Sequence, residues 1–178
     1  LGVSQGTDRK ALEALGMENL IERRQGKGTY VAEHTQESSL FRFFRLTRPD
    51  GERAVPTTAE SSAKRREGKA AELARLAMRE GAHLVEINRT RLVDGAPVLL
   101  ERIVVPSALF PGLEKRTPLP NTLYQLYQRE YGQNIVTTEE QLRADVARKD
   151  DSRRLKLAPG APLLHIERIG ITLDGTRV

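Results

Sequence analysis

GVSQGTDRKALEALGMENLIERRQGKGTYVA, residues 2–32, carries a helix, a stop and two short strand-like runs in close succession. Ser4 can offer its hydroxyl to a free backbone N–H of a first turn, and Ala11, Leu12 and Leu15 then recur at helical spacing, which predicts a helix over 5–18. Asn19 suits the left-handed conformation that ends a helix. Residues 20–24 and 29–31 read as strands around the turn Gln25-Gly26-Lys27-Gly28. A helix followed by a glycine-turned hairpin is the back half of a winged helix-turn-helix, a recognition helix and its wing. Gln5, Thr7, Arg9 and Lys10 sit at the N-terminal end of that helix, the end that a recognition helix presents to the major groove. Such a domain also needs a positioning helix ahead of the recognition helix, and the chain begins at Leu1, so the DNA-binding part is expected to be incomplete.

The whole chain has 178 residues, of which 38% are hydrophobic and 30% charged, enough for one sizeable core plus a piece of a second. Zero cysteines excludes disulfides and thiolate metal sites and suits a reducing cytoplasm. No apolar run reaches membrane-spanning length and no signal-like segment opens the chain, so a cytoplasmic protein without a membrane partner is expected. The net charge of +5 favours a polyanionic partner but decides little alone. Residues 1–32 balance to only +1, so most of the excess lies later, part of it in Lys64-Arg65-Arg66-Glu67-Gly68-Lys69. That run reads as a solvated helix entrance rather than a DNA contact.

Residues 33–39 are polar and aperiodic, a linker, and a second domain is expected to start near residue 40. Within it, 54–62 is a strand candidate containing Pro56. Residues 67–80 predict a helix with Ala70, Leu73, Leu76 and Ala77 on one face and Gly81 as its stop. Residues 84–93 and 98–105 are strands around Asp94-Gly95, and Asn121 caps a helix through about 131 that Gly132 ends. The chain is extended from 135, Asp151 opens a short helix toward 157, and 163–173 is a strand reaching the turn Asp174-Gly175. LVDGAPV at 92–98 and TLDGTRV at 172–178 share a turn without forming a repeat. Hairpins with helices between them make an α+β domain on a mostly antiparallel sheet.

Alternation on the strand around Arg89 places Val85, Ile87, Arg89, Arg91 and Val93 on one face. If that face is covered, both guanidiniums need anionic partners, either Glu101 or a bound anion, because an unpaired buried charge is very costly. If it is solvated, Arg89 and Glu101 form a surface pair worth little. A three-residue loop, Asp94-Gly95-Ala96, sets Arg89 opposite Glu101, whereas a two-residue loop turns Glu101 to the other face. The helix at 121–131 offers N–H groups at its start together with the Thr122 hydroxyl. Phe41, Phe43 and Phe44 read as core, and Tyr124, Tyr127 and Tyr131 as packing residues with wet hydroxyls. His34, His83 and His165 have no metal-ligand spacing, and no nucleophile motif appears, so neither a metal site nor catalytic residues are expected.

Gly2-Val3-Ser4-Gln5-Gly6-Thr7, Arg9-Lys10-Ala11-Leu12 and the wing Arg23-Arg24-Gln25-Gly26-Lys27-Gly28-Thr29 resemble the GntR family of bacterial transcription regulators. Farther on, Asn88-Arg89-Thr90-Arg91, Asp94-Gly95-Ala96-Pro97, Glu101, Pro106, Thr122-Leu123-Tyr124, Tyr131-Gly132, residues 159–164 and Arg168 resemble the effector domain of its HutC subfamily. That is the UTRA domain, related in fold to chorismate lyase. The resemblance implies an α+β chain, a partial winged helix-turn-helix at 1–32, a linker at 33–39, and a mostly antiparallel UTRA domain at 40–178 whose last strand is incomplete. It implies DNA contacts from Ser4, Gln5, Gly6, Thr7, Arg9 and Lys10, and from Gln25, Gly26 and Lys27 of the wing.

In members that bind phosphorylated sugars, the positions matching Arg89, Arg91 and Thr122 contact the anion and the position matching Glu101 contacts the rest of the effector. Phe43 matches a loop over the pocket, and Tyr124 belongs to the same effector-binding set. The stretch LFRFFRLTRPDG at 40–51 puts Phe44 and Arg45 where sugar-phosphate binders have small hydroxyl residues, so a carboxylate or aromatic acid suits the site as well as a sugar phosphate does. No cofactor is implied beyond a small anionic effector. The function implied is a ligand-responsive repressor, a homodimer on a palindromic double-stranded DNA operator and not an enzyme. The alternatives are a chorismate lyase-like enzyme, or an effector-binding, dimerising fragment without DNA binding of its own.

Overall fold

The computed structural model describes residues 2, 4–17, 21–31, 46–48 and 50–178. The chain divides into two compact units, residues 1–34 and 35–178. Asn19, the linker at 33–39 and Phe41, Phe43 and Phe44 lie outside the described residues.

In the first unit the Ser4 hydroxyl accepts from the backbone N–H of Thr7 at 3.3 Å, and α1 (Gln5–Met17) follows. Asp8 falls in the first turn of α1, where a carboxylate complements the positive helix end. Strands β1 (Ile21–Arg24) and β2 (Gly28–Val31) pair antiparallel, Ile21 opposite Val31 and Arg24 opposite Gly28. Gly26 closes the turn at a φ of +73°, a backbone conformation that costs other residues more than glycine.

The second unit is built on β4 (His83–Val93), flanked antiparallel by β3 (Thr57–Glu67) and β5 (Ala96–Pro106). Buried residues follow one another along β4 because both of its faces are covered. On one face Val85, Ile87 and Val105 pack with Phe110, Leu113, Leu119 and Leu123, Leu126 and Tyr127 of α3 (Leu123–Tyr131). On the other, Leu84 receives Leu73 and Leu76 from and beside α2 (Ala70–Arg75). Strands β6 (Ile135–Val146) and β7 (Pro162–Thr172) form an antiparallel ribbon, with α4 (Lys149–Leu155) between them in sequence.

Five local expectations change. The helix expected over 67–80 is only Ala70–Arg75, because β3 continues through Glu67: Lys64 and Arg66 both pair with Glu86 across the sheet. The basic run at 64–69 is therefore largely strand, not a helix entrance. At its far end Ala77, at a φ of +53°, breaks the helical path before Gly81 is reached. The candidate strand at 54–62 starts only after Pro56, and the extended start at 135 runs on to Val146. Asn121 does not cap α3; Thr122 occupies the N-cap position, without a side-chain cap hydrogen bond.

The β4–β5 turn holds two residues, Asp94 and Gly95, with Val93 opposite Ala96. A two-residue turn alone would send Glu101 to the face away from Arg89. The register shifts, however, from Leu92 opposite Pro97 to Arg91 opposite Leu99, leaving Val98 as the extra residue of a β-bulge. Arg89 thereby comes opposite Glu101.

Candidate functional site

Arg89 and Arg91 project from β4 on the face that α3 covers, 4% and 1% exposed. The covered alternative holds, and Glu101 is the carboxylate partner. A single oxygen, Glu101 Oε2, lies 2.7 Å from Arg89 Nε, 2.6 Å from Arg89 Nη2 and 3.4 Å from Arg91 Nη1. Further terminal donors go to main-chain and amide oxygens at the approaches to β3 and α3. Arg89 Nη1 donates to the carbonyls of Pro120 and Asn121, at 3.3 and 3.2 Å. Arg91 Nη1 donates to the Asn121 carbonyl at 3.2 Å, and its Nη2 to Asn121 Oδ1 at 2.9 Å and the Pro56 carbonyl at 3.1 Å. Asn121 Nδ2 also donates to the Pro56 carbonyl at 3.0 Å, so one amide side chain ties the start of β3, an arginine of β4 and the approach to α3. Burial, and secondarily the neighbouring Arg89, pull the Arg91 guanidinium below its ordinary range against the favourable pull of Glu101.

Around this centre Thr122 is buried at the N-cap of α3. Tyr124 stands one residue inside the helix, its hydroxyl pushed up by burial while Arg168 of β7 donates a hydrogen bond that opposes the shift. Arg168 is itself held by Glu140, with Nη2 2.5 Å from Oε1. The Tyr127 ring lies 6.1 Å from that of Tyr124 and 4.5 Å from Phe110. Its hydroxyl is buried without a hydrogen-bond partner among the described residues. A buried unsatisfied hydroxyl costs about 1–3 kcal/mol. Tyr127→Phe is therefore expected to raise the Tm of the unliganded protein by a few degrees, and calorimetry giving a lower Tm would show that the hydroxyl is satisfied after all.

Arg89, Arg91, Glu101, Thr122 and Tyr124 thus fall on adjoining segments, while Phe43 lies outside the described residues. Asn121, Tyr127 and Arg168 join them without having been expected there. Asn121 was legible only as a helix cap, because nothing local distinguishes an amide that caps from one that binds a guanidinium 30 residues away. In the first unit Ser4, Gln5, Gly6, Thr7, Arg9 and Lys10 are all exposed at the start of α1, as are Gln25, Gly26 and Lys27 in the hairpin turn. Arg9 pairs with Glu13 one turn on, at 3.0 Å. A separate cleft of about 640 Å³, lined by Ala74, Arg75, Glu139, Gln141, Ile169 and Arg177, contains none of the expected site residues, and both its arginines already pair with carboxylates, Glu167 and Glu139. Among the described residues no group of His, Asp or Glu is placed to hold a metal ion, and no helix is long and apolar enough to cross a membrane.

The UTRA domain family matches residues 52–178. The chain is 29% identical over 173 residues to the histidine utilization repressor of Pseudomonas putida, covering 94% of this chain and 67% of that protein. It is 23% identical over 167 residues to the repressor named for a fructoselysine utilization operon in Escherichia coli K12, covering 94% and 69%. A solved ligand-binding domain assigned to a GntR-family transcriptional regulator of Bordetella bronchiseptica superposes with a TM-score of 0.66 at 29% identity, over 76% of this chain and 87% of that one. PhnF from Mycobacterium smegmatis shares the fold, with a TM-score of 0.63 at 21% identity over 99% of this chain and 77% of that one. The chain belongs to the UTRA-domain transcription regulators of the GntR family. The relatives and the ligand-binding domain named here are transcription regulators.

Proposed function

We propose that the chain is the sensing part, with a portion of the DNA-reading part, of a cytoplasmic ligand-responsive repressor. The carrying observation is the buried Arg89–Arg91–Glu101 cluster beneath the start of α3, since two guanidiniums in a covered site are an anion-recognition device. Residues 1–32 are read as recognition helix and wing, 33–39 as linker and 40–178 as effector domain. Ser4, Gln5, Gly6, Thr7, Arg9, Lys10, Gln25, Gly26 and Lys27 would face DNA, and Phe43, Arg89, Arg91, Glu101, Thr122 and Tyr124 a small anionic effector. A homodimer on a palindromic operator follows from half-sites read by two copies of one helix. Effector controls DNA only through its differential affinity for the two arrangements of the reading heads.

The test is fluorescence anisotropy of labelled operator, selected from genomic fragments by a protein carrying this chain with its complete DNA-binding domain. Ligands that raise the Tm of that protein, and fail to do so for Arg91→Ala, are expected to release the DNA. An operator affinity indifferent to every ligand that binds would overturn the switch.

A further inference from the structure

We propose, resting on the homodimer reading, that two copies of this chain join through the outward face of the β6–β7 ribbon, formed by Leu142, Ala144, Val146, Pro162, Leu164 and Ile166. Register and alternation put the six together: Leu142 stands opposite Ile166, Ala144 opposite Leu164 and Val146 opposite Pro162, at every second position of two antiparallel strands. All six are exposed, Leu164 at 63%, Leu142 at 58%, Val146 at 55% and Ile166 at 47%. The ribbon's other face is the polar one, and it is turned toward the chain's own α2. There Glu167 pairs with Arg75 and Arg143, and His165 lies 3.4 Å from Glu167 and 3.9 Å from Asp145. An antiparallel pair with one face in water ordinarily does the reverse, apolar side chains inward and charged ones outward. Two strands alone are also marginal in water without a covered apolar face. The ribbon is built to be covered on the side that this chain leaves open.

A second copy fits this face in access, shape, charge and size. α3 closes the face at one end, where Arg168 donates to the Tyr124 hydroxyl, so the second ribbon enters from the free end and runs the opposite way, about a dyad lying across the strands. With Ala144 and Leu164 at that dyad, Leu142 comes over the partner's Val146 and Ile166 over the partner's Pro162, apolar on apolar throughout, as in two stacked sheets about 10 Å apart. The six positions carry no charge, which leaves a nucleic acid or a charged segment nothing to hold. Beyond them Glu140 and the exposed Arg148 stand on either side of Ala144 at equal spacing, so the same dyad brings Glu140 to the partner's Arg148 and repeats that contact at the other end. Arg168 takes Oε1 of Glu140, and the partner's Arg148 takes Oε2. Monomers rarely leave more than about 300–600 Å² of apolar surface in one patch, and two such faces opposed bury about 1,000 Å², the size at which a contact becomes specific but stays reversible.

The experiment is sedimentation velocity of the 178-residue chain from low to high micromolar concentration. Wild type is expected to pass from monomer to dimer over that range. Leu164→Lys and Leu164→Glu, each alone, are expected to weaken the dimer at least about tenfold, with urea midpoints of the dilute proteins unchanged because the side chain is exposed in the monomer. An equimolar mixture of the two is expected to recover the dimer that neither forms alone, since the two substituted positions meet at the dyad. The chain has no cysteine, so Ala144→Cys supplies a single thiol, expected to form an interchain disulfide on oxidation, whereas Ser61→Cys, exposed on β3, is not. Should a charged variant fail to fold, the contrast between these two cysteines decides alone. Dimerisation untouched by both charged variants, or Ser61→Cys linking as readily as Ala144→Cys, overturns this surface and leaves the homodimer reading standing. Two monomeric variants whose mixture stays monomeric overturn the dyad at Leu164. A wild type that remains monomeric at every concentration, with Ala144→Cys unlinked, overturns both the surface and the homodimer reading.

Discussion

Glu101→Ala is expected to lower the unfolding free energy by about 3–5 kcal/mol, read from urea midpoints at pH 7, because it removes the carboxylate that two buried guanidiniums share. Arg89 is 4% exposed and Arg91 1%, so water cannot take over. The carbonyls of Pro56, Pro120 and Asn121 still accept hydrogen bonds, the Asn121 carbonyl from both arginines, but they supply no charge to replace that of Glu101. Arg91→Met should cost less despite deleting a larger side chain, since Glu101 keeps its shorter contacts to Arg89. Glu101→Gln should fall between, retaining an acceptor oxygen without the charge. A loss below about 1 kcal/mol in Glu101→Ala would mean that the cluster is solvated and its arginines are surface groups.

How much of this was legible before the structure differs from element to element. The shared face of Val85, Ile87, Arg89 and Arg91 follows from strand periodicity and needs nothing else. Whether that face was covered did not follow, because burial depends on α3 and the segment at 110–119, which are remote in sequence. The pairing of Arg89 with Glu101 stays open in the sequence, since a three-residue loop gives it and a plain two-residue loop does not. The structure makes that pairing by a two-residue turn and a bulge at Val98, and a bulge has no local signature that separates it from a longer loop. The basic run at 64–69 misled for a related reason: lysine and arginine at alternate positions suit a solvated helix equally well until Glu86 is known to stand across the sheet. Asn121 is the plainest omission. Its partners, Pro56 and Arg91, are 65 and 30 residues away, and only the assembled sheet brings them to one amide.

Acidification should unlock the opposite face of the same sheet. Glu72 of α2 and Glu86 of β4 share Arg66, which lies 2.8 Å from each, and Arg102 reaches both. The Arg66 hydrogen bond first, then the Lys69 backbone and Arg102, hold the Glu72 carboxyl at about 2. Burial pushes Glu86 upward, but Arg66, Asn88 and Arg102 outweigh it and bring that carboxyl to about 2 as well. Both ordinary values are 4.5, so the folded state binds these protons more weakly than the unfolded chain does. The stability they contribute is complete above about pH 4.5 and is lost as pH falls from there toward 2. With partial solvent screening, and with both carboxylates leaning on the same arginines, the combined loss is roughly 2–3 kcal/mol rather than the sum of two full shifts. Urea midpoints at pH 6, 3.5 and 2.5 should therefore drop steeply in wild type and more gently in Glu86→Gln, which has already forfeited half of the network. Parallel curves for the two proteins would refute this assignment. Arg75, on the same short helix as Glu72, pairs with Glu167 of β7, so α2 joins the three-stranded sheet to the ribbon through ion pairs on both sides. Protonating Glu72 loosens the first of these attachments, and hydrogen exchange at low pH should rise in Ala70–Arg75 before it rises in β4, whose amides are held by neighbours on both edges.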